Sequence, residues 1–440
     1  MTIILFAIAA IIVWESYAHQ NMGFPDSLDP HWDGHEYPEG HLHFGIKVPF
    51  YLYSGEGFDV FRKNCNPIIW SKGVEVSWLH RLERHPWRVK KANDAIYFVV
   101  PALFSLAVYD DGQHCRLPVD DMAATLLKAL HASKHFKRNG GRDHIMLVSY
   151  FKGQQYLSQH SEWQPAVGNM TLALHVASKH YLHIPEEYGE PCRVPVGHQP
   201  SKNLPVLDGE PPAVAQRTFF FLGQAVGASY YGVRRAALAR GAMETVGTNN
   251  FLVASDCAHK NVSGSYPICG SDAVTHLVSS SVGCCLEQPM VYADYMKEMV
   301  HSNFSLNMRG GDSGSSRTYD AIVAGTPQVV VSDGFIWNYA AFTCTVPWSK
   351  FVHFVKEKPF LRNTHVIAEE ALATLLPRRE EMKKLQDAHR DNLLWTSARS
   401  LSANNLLVQA AKQCLNGNRV KMRNVKTREI LVQVKRTKCV

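Results

Sequence analysis

A glycine-rich loop between two arginines is the part of this sequence best suited to chemistry. It lies in residues 303–334, which read NFSLNMRGGDSGSSRTYDAIVAGTPQVVVSDG, and Arg309 and Arg317 flank its glycines. A loop that leads into a helix presents free N–H groups and the positive end of the helix dipole, and both favour anions. Guanidinium groups pair with phosphate oxygens in a bidentate geometry. The pattern predicts a site for a phosphorylated ligand, with a plain connecting loop as the alternative.

The elements that must position this loop follow from the pattern of apolar residues around it. Alternating apolar side chains at residues 304–308 predict a short strand before the loop. Ser315 or Ser316 is suited to cap a helix after the loop, and Gly325 is suited to end that helix. The β-branched run at residues 329–331 predicts a buried strand. The order is therefore strand, loop, helix and strand.

Apolar residues with the spacing of strands and helices recur through the rest of the chain. Strands that alternate with helices indicate parallel βαβ units, whose ligands bind beyond the carboxyl ends of the strands. Residues 246–282 are rich in Gly, Ser and Asn and are predicted to form loops. The predicted strands are residues 47–53, 95–100, 143–150, 172–176, 217–223 and 351–355, and the predicted helices are residues 75–84, 122–136, 292–299 and, broken at Pro377, 366–414.

The detailed string around the loop resembles the donor-domain signature of the exostosin family of glycosyltransferases. The residues that carry this resemblance are Arg309-Gly310, Ser316-Arg317, Asp320-Ala321, Ala324-Gly325, Pro327 and residues 330–333. The first half of the chain is similar as well, at the strand in residues 47–51 and at the Gly-Gly-Arg-Asp-His segment in residues 140–144. A strand that ends at Gly223 and a helix with Arg234 match the start of the family's donor domain.

The sequence also departs from the family's pattern. Ser305, Asn307 and Met308 stand where members usually carry cysteines and a proline, and only Thr326 separates Gly325 from Pro327. These differences mark a divergent member.

The resemblance implies an α/β fold with two Rossmann-like domains facing a cleft, the GT-B arrangement. A C-terminal helix and an N-terminal signal-anchor or stem complete the expected chain. The expected boundaries are 1–14 for a signal-anchor or signal peptide, 15–45 for a stem, 46–210 for the acceptor-side domain, 211–365 for the nucleotide-sugar domain and 366–440 for C-terminal helices and a basic tail.

The activity implied is the inverting transfer of a sugar, from a UDP-linked donor, to a glycan or glycoprotein acceptor. The alternative is an inactive partner subunit or a glycan-binding module with the same fold. The donor-binding residues implied are Gly223, Arg234, Arg309, Gly310, Ser316, Arg317 and Asp320. Arg317 is equally suited to a structural ion pair with Asp320, and Asp320 is either a ligand of the donor's hydroxyl groups or a carboxylate on the helix surface.

When a sugar leaves a nucleotide-sugar donor, the charge on the departing diphosphate must be stabilised by a metal or by fixed cations. The chain contains no Asp-x-Asp motif that could hold a divalent metal. We therefore expect no metal and no cofactor beyond the nucleotide sugar, with arginines and a helix N-terminus supplying positive charge. A single displacement needs one general base. Asp143 and His144 are the candidates, and a structural Asp-His pair is the alternative.

Composition and the N-terminal segment bear on the partners and the cellular location of the protein. The net charge of +7 is spread along the chain without a basic stripe, which disfavours a nucleic-acid partner. The apolar residues 2–14 predict a signal-anchor, a signal peptide or a buried segment. Ten cysteines without C-x-x-C pairs favour disulfides over zinc. Together with the resemblance, these features indicate a single-pass type II protein of the Golgi membrane. Whether it forms a homo- or hetero-oligomer is left open.

Overall fold

The computed structural model describes residues 46–66, 73–109, 113–177, 181–200, 217–222, 251–256, 285–286, 292–309, 314–362, 369–415, 426 and 428–429. The expected anchor (1–14) and stem (15–45) lie outside these residues, as does most of the expected junction near residue 210. Within the described part of the chain, no helix has both the length and the apolar character that a membrane crossing requires.

A first parallel sheet is formed by the N-terminal half of the chain. Its strands lie side by side in chain order, β1-β2-β3-β4-β5. In this register Leu52 pairs with Val99, and Leu147 pairs with Ala173. The strands are β1 (Phe50–Leu52), β2 (Tyr97–Val99), β3 (His144–Leu147), β4 (Thr171–Leu174) and β5 (Cys192–Pro195).

A second parallel sheet follows, with the order β11-β10-β9-β6-β7-β8. Its strands are β6 (Arg217–Leu222), β7 (Phe251–Asp256), β8 (Cys285–Leu286), β9 (Ser302–Met308), β10 (Gln328–Val331) and β11 (Val352–Val355). Counted within this sheet, the order is 3-2-1-4-5-6, which is that of a dinucleotide-binding Rossmann fold. The order reverses between β6 and β9. Ligands of such sheets bind at this switch point, beyond the carboxyl ends of the strands.

Both faces of the second sheet are covered, as expected of a parallel sheet. Because successive side chains of a strand point to opposite faces, Phe219 and Phe221 pack in one core cluster and Phe220 packs in another. Residues of β9 and β10, with Met382 from the C-terminal region, complete the first cluster. Tyr295 packs beside Phe220 in the second.

The connecting helices have the following bounds. They are α1 (Val60–Asn64), α2 (Val74–Glu83), α3 (Phe104–Ala107), α4 (Val119–Ala132), α5 (Lys134–Asn139), α6 (Phe151–Gln159), α7 (Gln164–Val167), α8 (Tyr292–Val300), α9 (Arg317–Ala324), α10 (Phe335–Asn338), α11 (Trp348–Phe351), α12 (Glu357–Arg362), α13 (Arg379–Ala388), α14 (Arg390–Leu393) and α15 (Ser402–Cys414). Short 3-10 helices cover Ala92–Asp94, Glu186–Tyr188 and Leu376–Arg378, and a π-helix covers Ala371–Leu375.

The C-terminal helix α15 returns to the first sheet. It packs against β4, β5 and α2, and a disulfide joins Cys414 at its end to Cys192 in β5. His85, just after α2, lies 3.2 Å from Asn404 of the same helix. This helix therefore belongs to the core of the first sheet, although it follows the second sheet in the chain.

Contacts also join the carboxyl edges of the two sheets. The N–H of Ala177, after β4, donates a 2.8 Å hydrogen bond to the carbonyl of Asn338, after β10. The ring of His198, after β5, lies 5.6 Å from that of Tyr339. The ends at which ligands of parallel sheets bind are thus brought together on this side.

The structure confirms the α/β class and differs from the expectations in several details. The described strands of the first sheet run in chain order and show no reversal, so only the second sheet has the Rossmann order. Residues 251–256, expected to be a loop, form β7. The helix predicted at 122–136 is two helices that meet at Ser133, whose hydroxyl caps the second one. Strand β5 was not predicted.

Candidate functional site

Arg309 lies directly beyond the carboxyl end of β9, on one side of the switch point. Its backbone N–H continues the sheet by donating to the carbonyl of Val331 at 3.0 Å. The side chain is about one third exposed, at 33%. A cation fixed at this position in a Rossmann-type sheet is suited to bind an anionic ligand.

Glu357 positions the Arg309 side chain. One guanidinium nitrogen of Arg309 lies 3.4 Å from Oε1 of Glu357, whose side chain is almost fully buried. The same oxygen accepts from the N–H of Asp333 at 3.3 Å, and Asp333 Oδ1 accepts from the N–H of Glu357 at 2.8 Å. These reciprocal bonds tie the ends of β10 and β11 to Arg309. Glu357 was not predicted from the sequence, where a single carboxylate directly after an apolar strand was the available signal.

Helix α9 begins on the far side of the loop, at Arg317. Ser316 occupies the N-cap position, although its side chain makes no capping hydrogen bond. The guanidinium of Arg317 lies 5.3 Å from the ring centroid of Phe221, near the end of β6, a cation–π distance. Because β6 and β9 flank the switch point, the structure brings Arg309, Ser316 and Arg317 to the same edge of the sheet.

Asp320 lies in the first turn of α9 and is buried, with 1% of its surface exposed. Its two carboxylate oxygens accept from the hydroxyls of Tyr292 at 3.0 Å and Tyr295 at 3.2 Å. Placement on the helix surface, one of the two alternatives, is therefore wrong. Burial lowers the pKa of Arg317, and the attraction of Tyr295 and Asp320 opposes this shift. The two roles considered for Arg317 are both compatible with this geometry.

Three of the predicted donor-binding residues, Gly223, Arg234 and Gly310, lie outside the described residues. Gly223 directly follows β6, and Gly310 directly follows Arg309 in the chain. Their roles, like those of Arg309, Ser316, Arg317 and Asp320, stay predictions.

Asp143 and His144, the candidate bases, lie at the amino end of β3 and are fully buried. Ligands of parallel sheets bind at the opposite edge. Asp143 Oδ1 lies 2.8 Å from His144 Nδ1, and its Oδ2 accepts from Arg138 at 2.7 Å and from Asn139 at 2.6 Å. Burial alone would raise the pKa of Asp143, but the bonds from His144, Arg138 and Asn139 outweigh it and lower the pKa.

The tautomer of His144 follows from its partners. Its Nε2 lies 2.9 Å from the hydroxyl of Tyr53. Burial raises the pKa of Tyr53, so the phenol stays protonated and its O–H donates a hydrogen bond to Nε2. Nδ1–H then donates to Asp143, and burial lowers the pKa of His144, which keeps the ring neutral. A closed network of this kind favours the structural alternative, and the general-base role stays a prediction.

Glu75, a residue not predicted from the sequence, is a buried carboxyl group at the carboxyl edge of the first sheet. Its oxygens accept from the N–H of Ser149, after β3, at 3.0 Å, and from the N–H of Ser105, after β2, at 3.1 Å. The hydroxyl of Ser105 donates to it as well. Burial raises the pKa of Glu75 to about 8, against the opposing effect of these donors. Glu75 therefore fixes the two loops that leave this edge of the sheet.

The fold is that of an α/β protein whose second sheet has a Rossmann-type switch point, and the cations beside that point are suited to a phosphorylated ligand. The Exostosin GT47 domain matches residues 51–369 of the chain. The chain therefore belongs to the exostosin GT47 family of glycosyltransferases, as its motifs indicated. A search of curated protein sequences finds no match.

Solved structures similar to this chain include sucrose-phosphate synthase from Thermosynechococcus elongatus, at 13% identity over 68% of this chain and 82% of that chain, with a TM-score of 0.38. The pneumococcal O-GlcNAc transferase GtfA, in complex with UDP and GlcNAc, is 7% identical over 65% and 60%, with a TM-score of 0.35. The α,α-trehalose 6-phosphate synthase from Burkholderia multivorans is 11% identical over 72% and 80%, with a TM-score of 0.35. At these scores the likeness carries no argument about activity.

Proposed function

We propose that this protein is an inverting, metal-independent glycosyltransferase with a GT-B arrangement. It moves a sugar from a UDP-linked donor to a glycan or glycoprotein. Family membership supports the reaction class. The observation that carries the donor site is the position of Arg309, fixed by Glu357 at the end of β9, beside the switch point and the start of α9.

The proposed role of this edge is to neutralise the charge that develops on the departing diphosphate. Arg309 and Arg317 supply fixed positive charge, and the start of α9 adds the partial charge of the helix dipole. Fixed cations act without reorganisation during the reaction, which is what makes them effective. The lack of an Asp-x-Asp motif supports a mechanism in which these groups take the place of a divalent metal.

The proposed location is the Golgi membrane, with a single-pass type II topology and a lumenal catalytic part. The paired cysteines support an oxidising compartment: Cys65 bonds to Cys115, Cys192 bonds to Cys414, and Cys344 is disulfide-bonded as well. The proposed partners are the nucleotide sugar, the glycan acceptor and the membrane, with no nucleic acid.

Binding of UDP to the full chain tests the donor site. We expect UDP to raise the melting temperature, because a ligand that binds only the folded state stabilises it. Arg309→Ala should weaken UDP binding by roughly tenfold or more, since a charge-assisted hydrogen bond contributes about 1.5–3 kcal/mol. The melting temperature without UDP should fall only modestly, because the buried Glu357 loses the partly exposed Arg309 but keeps the N–H of Asp333. EDTA should leave the hydrolysis of UDP-sugars unchanged.

The matched control is Arg378→Ala, which removes an arginine whose side chain is about half exposed, at 53%, and is paired with Glu381. It should leave UDP binding intact. UDP affinity that is equal in the Arg309→Ala variant and the parent protein would remove Arg309 from the site. Binding of UDP-sugars without hydrolysis or transfer, across a panel of donors and acceptors, would favour the inactive partner subunit instead.

A further inference from the structure

Two histidines lie in contact at the carboxyl edge of the first sheet, outside the site described so far. His175 directly follows β4, and His198 lies three residues after the end of β5. Their ring centroids are 3.9 Å apart. His175 is buried, whereas His198 is partly exposed. Because ligands of parallel sheets bind at this edge, a substrate can reach one of the two rings.

The loops that carry these histidines are fixed to the segment that follows β10. The N–H of Ala177, two residues after His175, donates a 2.8 Å hydrogen bond to the carbonyl of Asn338 in α10. The ring of His198 lies 5.6 Å from that of Tyr339, the next residue of the same segment. Two separate contacts with one short segment therefore set the position of the histidine pair.

Tyr339 also contacts the glycine-rich loop of the proposed donor site. Its ring packs against the backbone of Gly314, the last glycine before α9, and a Cβ at that residue would clash with the ring. Tyr339 is close enough to Arg317 to oppose the lowering of the pKa of that guanidinium. His198 is therefore one aromatic side chain away from the loop proposed to hold the diphosphate.

An inverting transfer needs such a separation between the base and the leaving group. The acceptor oxygen attacks the anomeric carbon from the side opposite the diphosphate, from a distance of about 3–3.5 Å. The base must lie within about 2.6–3.2 Å of the attacking hydroxyl. It therefore belongs across the sugar from Arg309 and Arg317, and an imidazole at the carboxyl edge of the first sheet meets this requirement.

The other acid–base groups described in the first sheet are placed less well for this role. Glu75 lies at the same edge, but it is fully buried and its oxygens accept from the N–H groups of Ser105 and Ser149. Asp143 and His144 lie at the amino end of β3, on the opposite edge. The partly exposed histidine of the pair is the better-placed proton acceptor.

We infer that His198 is the general base of the transfer and that His175 is a positioning residue that keeps it neutral. This inference rests on the proposed inverting reaction. The imidazole of His198 takes the proton of the acceptor hydroxyl while the acceptor oxygen bonds to the anomeric carbon. The bond between that carbon and the diphosphate breaks, and its electron pair leaves with the diphosphate. The proton then passes from His198 to solvent.

Repulsion between like charges keeps one ring of the pair neutral. Two protonated imidazoles with centroids 3.9 Å apart would repel each other. Arg317 adds positive charge from α9, beyond Tyr339. The pair therefore does not readily hold two protons, and one ring keeps the lone pair that a base needs near neutral pH.

Release of UDP by the full chain, with water as the acceptor, tests the inference. The probes are UDP-glucose, UDP-galactose, UDP-xylose, UDP-glucuronate and UDP-N-acetylglucosamine. His198→Ala should lower kcat by about 10²–10⁴-fold, which is the usual contribution of a general base. UDP should raise the melting temperature of this variant as it does that of the parent protein, because the cations of the donor site are intact. Added imidazole should restore part of the lost rate by replacing the missing ring.

The pH profile distinguishes a base from a structural residue. The kcat/KM of the parent protein should fall as the pH decreases through an inflection at or below about 6.5, where an imidazole gains its proton. His198→Ala should lose this inflection. His175→Phe keeps a ring against His198 and removes the second imidazole, so the inflection should remain in that variant.

His160→Ala is the matched control. This imidazole also stacks on an aromatic ring, that of Tyr156, with the centroids 3.8 Å apart. It follows the last residue of α6, a helix that begins after the carboxyl end of β3, so it lies toward the opposite edge of the sheet. Its removal should leave kcat unchanged.

Three results would overturn the inference and leave the proposed function intact. The first is a parent protein that hydrolyses a UDP-sugar and a His198→Ala variant that does so at the same rate. The second is loss of UDP stabilisation in His198→Ala, which would place the residue in the donor site. The third is an inflection that disappears in His175→Phe and persists in His198→Ala. Binding of UDP without hydrolysis of any of the five probes would instead contradict the proposed reaction, and the inference with it.

Discussion

At the residue scale, buried carboxyl groups behave differently in this protein according to their partners. Asp143 and Glu75 are both fully buried. Asp143 has a guanidinium, an amide and an imidazole beside it, and its pKa is lowered. Glu75 has only backbone N–H groups and a hydroxyl, and burial raises its pKa to about 8. A nearby cation thus decides whether the charged form survives burial.

The raised pKa of Glu75 predicts that acid stabilises the protein through this residue. The unfolded pKa is near 4.5 and the folded pKa is about 8. Between these values the folded state binds a proton that the unfolded state has released, so the free energy of unfolding decreases as the pH rises. Glu75→Gln should remove this contribution, which is on the order of a few kcal/mol. Denaturant unfolding of both proteins at several pH values in this window measures the difference.

The control for this prediction is Glu83→Gln, on the same helix α2. Glu83 is exposed and pairs with Arg62, so its substitution should leave the pH dependence close to that of the parent protein. Parallel pH profiles for Glu75→Gln and the parent protein would show that Glu75 is ionised in the folded state.

At the element scale, one close contact fixes strand β5 against helix α9. Gly197 follows β5 with φ of +69°, and Tyr319 lies in the first turn of α9. We call the part of the chain that carries β1–β5 the first lobe and the part that carries β6–β11 the second lobe. A Cβ at residue 197 would clash with the hydroxyl oxygen and the ring of Tyr319. The backbone of the first lobe therefore meets a buried side chain of the second lobe at a point where only glycine fits.

Gly197→Ala should destabilise the protein by about 1–3 kcal/mol, because it combines a strained φ with a clash between the lobes. It should also weaken UDP binding, since Tyr319 follows Arg317 and Thr318 in the first turn of α9. Thermal unfolding with and without UDP measures both effects.

Gly140→Ala provides the matched comparison for this contact. Gly140 ends helix α5 with φ of +57°, and a Cβ there would meet no atom within 4 Å. It should lower the melting temperature through backbone strain alone and leave UDP binding unchanged. If the two variants lost equal stability and bound UDP equally, the contact between Gly197 and Tyr319 would have no part in arranging the donor side.

Most elements of the fold could be predicted from the local sequence pattern. Alternating apolar residues indicate a strand and a glycine indicates a helix end within a few residues. Helix α9 and strands β9 and β10 lie where residues 303–334 indicated. The order of strands in the first sheet could not be predicted, since it depends on long-range pairing. Strand β7 was missed because Gly, Ser and Asn surround it.

Arg309 and Arg317 could be predicted as candidate site residues, because their neighbours in the sequence define the loop. Glu357 could not, because it is close to Arg309 only after β9 and β11 join one sheet. Glu75 was missed for the same reason: its partners Ser105 and Ser149 follow different strands. The amino-end position of Asp143 and His144, by contrast, already followed from the strand expected at residues 143–150, and in a parallel sheet it argues against them as bases. Residues that act together across strands are therefore visible only in the folded chain.

At the scale of the whole molecule, the C-terminal region fastens the chain onto its first half. Arg81 of α2 donates to the carbonyls of Trp395 and Ser397, and the indole N–H of Trp395 donates to the carbonyl of Val196. The disulfide between Cys192 and Cys414 closes a loop with a sequence separation of 222 residues that contains the entire second sheet. Packing and one covalent bond therefore hold both ends of the second lobe to the first.

Removal of this disulfide should loosen the C-terminal helix α15. The double variant Cys192→Ala/Cys414→Ala should lose about 2–5 kcal/mol of stability, as is typical for a native disulfide. Trypsin should then cut after Lys412 faster than in the parent protein, because α15 is buried and must detach to be cleaved. Mass spectrometry of timed digests measures this rate.

The second disulfide, Cys65–Cys115, provides the control for this prediction. It distinguishes the loss of any disulfide from the loss of the one that encloses the second lobe. Its sequence separation is 50 residues and it lies within the first lobe, so Cys65→Ala/Cys115→Ala should lower stability without exposing Lys412. Equal cleavage after Lys412 in both double variants would mean that α15 is held by packing with β4, β5 and α2 alone. Faster cleavage only in the Cys192→Ala/Cys414→Ala variant would show that the covalent bond holds α15 against the first sheet. The packing of α15 with β4, β5 and α2 is present in both double variants and would not by itself protect Lys412.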